Sequence, residues 1–252
     1  MIDCSIFLKN DKALFLAYDQ GFEHGPTDFD EQSVDPGYVM DIARKTGVYT
    51  AIIVHEGIAQ SYYHKETDGT PLLVKLNGKT AIASSDEPYS PQLCSVSEAK
   101  RLGAKGVGYT IYLGSAYESK MMQEFSRIED EAHTEGLIVA LWAYPRGGKV
   151  KGRETDRDVV AYGARVALEM GADFVKVPYT GDVESFRWVV KNAGTTRVVM
   201  QGGIKTTAQE FLQHTKECLD AGAAGIAVGR NIWQSDDPIG ISKKLAQMIY
   251  GQ

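Results

Sequence analysis

A lysine stands in the middle of "GADFVKVPY", where Lys176 follows Phe174 and Val175 and precedes Val177. Such a run has the character of a buried strand, and lysine is rarely buried unless a partner or a reaction uses it. Apolar surroundings disfavour the ammonium form, which leaves a nucleophilic free amine. The competing explanation is a strand-end lysine whose stem covers apolar surface while its head reaches water. Lys75 in "LLVKLNG" raises the same question, with Leu73 and Asn77 on its face of the strand. Company separates the two. In "IVALWAYPRGGK" the alternation of a strand puts Trp142, Tyr144 and Arg146 on one face. Neighbouring strands lie about 4.8 Å apart, so Tyr144 could reach Lys176 from the next strand as an acid/base partner. No aromatic acid accompanies Lys75 in this way.

Around that couple the chain places groups suited to anions. "QGG" brings Gly202 and Gly203 to one strand end, and "VGRN" brings Gly229 and Arg230 to another. Glycine lets backbone N–H groups approach a phosphate, and the arginine adds a charge-assisted contact. "PRGGK" offers Arg146 and Lys149 for a second anionic group, and Asp19 in "YDQGFEHG" adds a carboxylate. Two separated anion sites with an amine between them suit a small bisphosphorylated carbonyl compound. Each of these has an ordinary structural explanation as well. Gly202 and Gly203 can form a turn, Asp19 can cap a helix, and Trp142 and Tyr144 can be core aromatics. The five histidines (24, 55, 64, 133 and 214) lack metal-ligand spacing, although His24 and His55 could meet near one another. No metal or cofactor is expected.

These residues need elements to hold them. Apolar runs of strand length recur at 13–19, 49–57, 72–78, 106–114, 138–145, 174–179, 197–203 and 225–231. Helical spacing of apolar residues is clear at 117–135, 157–170, 182–193, 206–221 and 238–249, and weakest at 57–71, where no full helix is expected. "LGAKG", "MGADF" and "AGAAG" place glycines where a helix stops and the next strand begins. Alternating strands and helices imply a parallel sheet with right-handed crossovers. Eight units in 252 residues predict one closed (β/α)₈ TIM barrel spanning 1–252, with no composition break for a second domain. Catalytic groups in that architecture come from the C-terminal strand ends, which is where Asp19, Trp142, Tyr144, Lys176 and the glycine pairs fall.

Composition narrows the partners. The net charge of −6, from 27 basic and 33 acidic residues, argues against a nucleic-acid or anionic-membrane surface. The start "MIDCSIFLKNDK" has neither the basic nor the apolar segment of a signal peptide, and no run is long enough for a membrane helix. Cys4, Cys94 and Cys218 are odd in number and without a pattern, which fits a reducing cytoplasm. A cytoplasmic protein acting on a small molecule is expected.

Taken together and in order, "LAYDQGFEHGP", "LVKLNGKT", "GYTIYLGS", "WAYPRGGKV", "GADFVKVPYTGD", "GGIKT" and "GIAVGRNIWQ" resemble the archaeal-type class I fructose-1,6-bisphosphate aldolases. The similarity runs from about residue 13 to the C-terminus. It implies a metal-independent, Schiff-base aldolase that splits fructose 1,6-bisphosphate into dihydroxyacetone phosphate and glyceraldehyde 3-phosphate. By position, Lys176 matches the Schiff-base lysine and Tyr144 the proton donor. Asp19 matches the acid that assists carbinolamine and imine chemistry, and Trp142 a substrate-orienting aromatic. Arg146 matches a ligand of the far phosphate, while Gly202, Gly203, Gly229 and Arg230 match the dihydroxyacetone-phosphate cradle. The family forms ring-based homo-oligomers, so a homo-oligomer is implied, a decamer being one option. Two departures bear on substrate preference: Gln20 stands where the family usually has histidine, and Gln201 where it usually has serine. The rival classes are a Schiff-base enzyme for another phosphorylated sugar, a phosphate-binding isomerase barrel that forms no imine, and a noncatalytic sugar-phosphate binder.

Overall fold

The computed structural model describes residues 2–64, 69–83 and 85–251. Eight strands pair in parallel and in sequence order, and the first closes on the last. They are β1 (Ala13–Ala17), β2 (Ala51–His55), β3 (Leu72–Lys75), β4 (Gly106–Leu113), β5 (Ile138–Pro145), β6 (Phe174–Val177), β7 (Arg197–Gln201) and β8 (Gly225–Val228). Closure is carried by the β1–β8 ladder, with Ala13 opposite Gly225 and Leu16 opposite Val228. The expected (β/α)₈ barrel is the fold. Every strand forms where the apolar runs place it, and most end two or three residues earlier than the runs do. Asp19, Asn77, Gly202, Gly203 and Gly229 therefore lie beyond the strand ends, and Arg146 follows directly on the last residue of β5.

The helices in chain order are α1 (Gly21–His24), α2 (Pro36–Thr46), α3 (Glu56–Tyr62), α4 (Val96–Arg101), α5 (Glu118–Thr134), α6 (Arg157–Glu169), α7 (Val183–Ala193), α8 (Ala208–Asp220), α9 (Arg230–Trp233) and α10 (Pro238–Tyr250). Side-chain caps start most of the long ones: Asp156 accepts from Asp158 N, Asp182 from Ser185 N, Thr207 from Glu210 N and Asp237 from Gly240 N. The three helix-to-strand glycines, Gly103, Gly171 and Gly222, all take positive φ (88°, 78° and 100°), the left-handed stop their positions require. α3 is a short helix at the start of the weak connection, where no full helix is expected; residues 65–68 of that connection lie outside the described residues.

The inside of the barrel changes character along its axis. At the closed end Phe7, from the 3₁₀ turn Ser5–Phe7, packs on Phe15 and Phe174 with ring centroids 5.6 and 6.3 Å away. Phe174 and Lys176 share a face of β6, so the strand that buries a phenylalanine at the closed end presents a lysine at the open one. Val175 and Val177 face the helix layer, and all four residues are buried.

Candidate active site

Nine residues expected at the site line one cavity at the C-terminal mouth of the barrel: Asp19, Trp142, Tyr144, Arg146, Lys176, Gly202, Gly203, Gly229 and Arg230. Lys149, expected beside Arg146, is exposed and does not line it. Its N–H instead donates to the Gly114 carbonyl, 3.3 Å away, which turns the loop after β5 back along the mouth.

Lys176 is 6% exposed. The β5–β6 register sets it opposite Trp142, with its Nζ 5.2 Å from the indole. Burial pushes its pKa below the ordinary lysine value. The Asp19 and Glu23 carboxylates oppose this, and Arg146 and Arg230 reinforce it. The outcome is an amine with more nucleophilic free base at neutral pH than an exposed lysine holds. Tyr144 is buried two residues beyond Trp142 on the same face, under the Arg146 guanidinium at 5.1 Å from its ring. Burial raises its phenol well above the usual value, with the Asp19 charge adding to the effect, so it holds its proton across the neutral range.

The geometry of Trp142 depends on a glycine in β4. A Cβ on Gly108 would come 2.1 Å from the indole, so the ring occupies the space a side chain there would need. Gly108→Ala should displace the ring from beside Lys176 and cost roughly 1–3 kcal/mol of stability through overpacking. Thermal unfolding and tryptophan fluorescence check this; unchanged fluorescence and stability would show that the ring has room to spare.

Three carboxylates in the segment after β1 organise the mouth, and only Asp19 was read from the sequence. Glu23 accepts a hydrogen bond from the Tyr112 hydroxyl and a 3.0 Å ion pair from Arg146. Burial alone would raise the Glu23 pKa, but Arg146, Lys75 and the Tyr112 hydroxyl bring it below the usual carboxylate value. Asp28 plays the same part for Arg230, accepting from Nη1 at 3.1 Å, while Arg230 Nη2 donates to the Gly203 carbonyl at 3.1 Å. Both expected phosphate-binding arginines are thus held in place by a carboxylate before any ligand arrives. The segment "DQGFEHGPTD" carries a clear signal for this, acidic residues in a loop beside a strand end, but the pairing spans 123 residues for Glu23 and Arg146.

The glycine loops take backbone paths that a side chain would obstruct. Gly203 takes a φ of 69°. A Cβ on Gly229 would meet the Ala17 carbonyl oxygen at 2.8 Å, so only glycine lets the chain pass there into α9. The Gly202 N–H is already donated to the Ala227 carbonyl at 2.9 Å and is not a free cradle donor. Gln20 and Gln201 also line the cavity. Among the described residues, Gln20 Nε2 and Trp142 Nε1 are buried without a hydrogen-bond partner. Buried donors are rarely left unpaired, and both of these belong to residues of the cavity lining.

The histidines do other work. His24 bonds Asp28 at 2.8 Å. His55 lies between two main-chain carbonyls, of Lys75 (3.1 Å) and Asp19 (3.0 Å). Burial and then the Lys75 charge push its pKa down to about 4, so it is neutral at pH 7 and donates to only one of them. Among the described residues no group of three or more His, Cys, Asp or Glu side chains is placed to hold a metal ion, and no helix is long and apolar enough to cross a membrane.

A parallel barrel whose mouth encloses a depressed-pKa lysine, a protonated tyrosine and anchored arginines is the arrangement of an imine-forming aldolase. Comparison with known proteins agrees. Residues 13–235 match the model of the DeoC/LacD family aldolases. The chain is 49% identical to the class 1 fructose-bisphosphate aldolase of Thermoproteus tenax, over 98% of this chain and 92% of that one. It is 42% identical to the class 1 fructose-bisphosphate aldolase of Halobacterium salinarum, over 96% and 92%. An archaeal fructose-1,6-bisphosphate aldolase solved with its catalytic lysine bound to the carbinolamine intermediate superposes with a TM-score of 0.93 at 47% identity, covering 98% of this chain and 97% of that one. The chain belongs to the DeoC/LacD aldolase family, and within it to the archaeal class 1 fructose-bisphosphate aldolases.

Proposed function

We infer that this protein is a class I fructose-1,6-bisphosphate aldolase, cleaving its substrate reversibly to dihydroxyacetone phosphate and glyceraldehyde 3-phosphate through an imine on Lys176. The observation that carries the reading is the Lys176 amine, 6% exposed, open to the cavity and depressed in pKa by its burial. Family membership supports the reaction, and the two anchored arginines support a substrate with a phosphate at each end.

In this reading the open-chain sugar lies across the mouth. Gly203, Gly229 and Arg230 receive the phosphate nearer the ketone, with Gly202 shaping the loop, and Arg146 receives the far one. The Lys176 amine adds to C2, and Asp19 carries protons in the loss of water that follows. The iminium accepts the electron pair of the breaking C3–C4 bond. Tyr144, held protonated by burial, then protonates the enamine at C3. Trp142 and Gln20 donate their unpaired N–H groups to sugar oxygens. Binding energy from the phosphates, remote from the breaking bond, positions it for reaction.

The protein works in the cytoplasm as a homo-oligomer on this reading. Exposed Tyr162 on α6 and Trp188 on α7, 65% and 43% accessible, support a surface covered by a second copy.

Borohydride reduction in the presence of dihydroxyacetone phosphate tests the chemistry. A single adduct at Lys176 is expected, equally in a chelator, because the iminium and not a Lewis acid activates the carbonyl. An adduct at Lys75, no adduct, or turnover that needs added zinc would overturn the reading.

A further inference from the structure

The mouth holds a second buried amine. Lys75 ends β3, is 3% exposed and lines the same cavity as Lys176. Its Nζ donates to both oxygens of Asn77, the carbonyl at 2.8 Å and Oδ1 at 2.7 Å. Asn77 is itself fixed, since its Nδ2 donates to the carbonyls of Ser90 and Thr110 at 2.8 and 2.9 Å and its Oδ1 accepts the Thr110 N–H at 2.8 Å. A nitrogen that carries its side chain and two committed N–H bonds has one position left. In the ammonium form that position is a third N–H; in the free amine it is the lone pair. The Trp142 indole stands beside it, 5.6 Å from Lys75 and 5.2 Å from Lys176, so the two amines share one ring.

The order of strands says which part of a substrate Lys75 meets. In an eight-stranded ring β3 lies across from β7, whose end carries Gly202 and Gly203. With one phosphate in those loops and C2 on Lys176, the remaining carbons extend towards Arg146 and the β3–β5 side. That half of the substrate carries the C4 hydroxyl, whose proton must leave as C3–C4 breaks. Tyr144 cannot take it, because it enters that step already protonated.

We propose that Lys75 is the general acid–base of the carbon–carbon bond step, exchanging a proton with the C4 oxygen. This rests on the iminium being formed at Lys176. In cleavage the Lys75 free amine removes the C4-hydroxyl proton. The O–H pair becomes the C4=O π bond, the C3–C4 pair becomes the C2=C3 π bond, and the C2=N π pair moves onto the Lys176 nitrogen. One iminium charge disappears and one ammonium charge appears, so the site keeps its net charge. In condensation the ammonium returns the proton to the aldehyde oxygen. Burial brings the Lys75 pKa down to about 8, with Asp19 and Glu23 raising it and Lys176 and Arg146 lowering it, so both forms are accessible near neutral pH.

Lys75→Met separates this step from the rest of the cycle, because exchange of the C3 proton of dihydroxyacetone phosphate with solvent involves no C4. Exchange and borohydride labelling of Lys176 should stay within about 3-fold of wild type, while fructose 1,6-bisphosphate cleavage falls roughly 10²–10⁴-fold. Lys75→Arg keeps the charge but not a titratable nitrogen, and should be as slow. Recovery of cleavage in Lys75→Arg, or wild-type cleavage in Lys75→Met, overturns the proposal. Should Lys75→Met lose exchange and cleavage alike, wild-type enzyme decides: single-turnover cleavage must show a rise with pH near 8 that exchange lacks, and its absence sinks the idea. Failure to label Lys176 in wild type would overturn the imine reading itself, a distinguishable result.

Discussion

Lys176→Met is expected to abolish turnover, by roughly 10⁴-fold or more as when a covalent nucleophile is removed, and at the same time to stabilise the fold. The first effect follows because no other group in the cavity occupies the same place: Lys75 is tied to Asn77 by two hydrogen bonds. The second follows from linkage. The Lys176 pKa is depressed in the folded protein, so folding disfavours its proton. That cost is fully present below the folded pKa and fades as pH rises towards the unfolded value of about 10.4. Methionine fills a similar volume without a charge to desolvate. The gain should therefore be larger at pH 7 than at pH 10, read as the shift in denaturant midpoint at the two values. Asp19 and Glu23 lose one cation in the variant but keep Arg146 and Lys75, so they do not reverse the sign. A variant less stable than wild type at pH 7 would mean that Lys176 is held by pairing more than it is strained by burial.

Such strain is why the lysine was legible in the sequence. A charged residue inside "FVKV" contradicts the pattern around it, and local contradictions of that kind collect at functional sites. The strands were legible for the opposite reason, since their apolar runs, turn signals and glycine stops all agree. α2 was missed although Val39, Met40, Ile42 and Ala43 give it a buried face. Its first two residues are Pro36 and Gly37, which look like a turn; Asp35, accepting from Gly37 N, makes them a helix start instead.

What the sequence hid was pairing at a distance. Glu23 and Asp28 look like ordinary loop acids until the barrel closes and brings Arg146 and Arg230 to them. Nothing local encodes a contact over 123 or 202 residues. Lys75 is visible in the sequence too, but it does not lack an aromatic acid on a neighbouring strand: Tyr112 stands on β4 on the same face as Gly108, the residue opposite Lys75. Looking only to the next strand is also too narrow a test: β3 and β5 are separated by β4, and the indole of Trp142 reaches across the interior to both lysines because Gly108 on β4 leaves it space. Parity along a strand predicts which side chains point inward, but only the closed ring determines which inward residues meet.

Tyr144→Phe separates the roles of the two residues that first suggested the chemistry. It removes one hydroxyl and keeps the buried ring under the Arg146 guanidinium, so packing and stability should change little. If the phenol delivers the proton to C3 of the enamine, imine formation persists while turnover falls roughly 10²–10⁴-fold, the usual loss for a general acid. Borohydride should still label Lys176 in the variant, and exchange of the C3 proton of dihydroxyacetone phosphate with solvent should be lost. Exchange is what distinguishes this pattern from the one expected for Lys75→Met, where cleavage falls by a similar factor but exchange survives. The two variants therefore assign the two proton transfers independently: C3 to the phenol, C4 to the second amine. Wild-type exchange in Tyr144→Phe would reduce the tyrosine to a wall of the cavity. The acid would then have to be sought in Asp19, which lines the same cavity, or in a bound water.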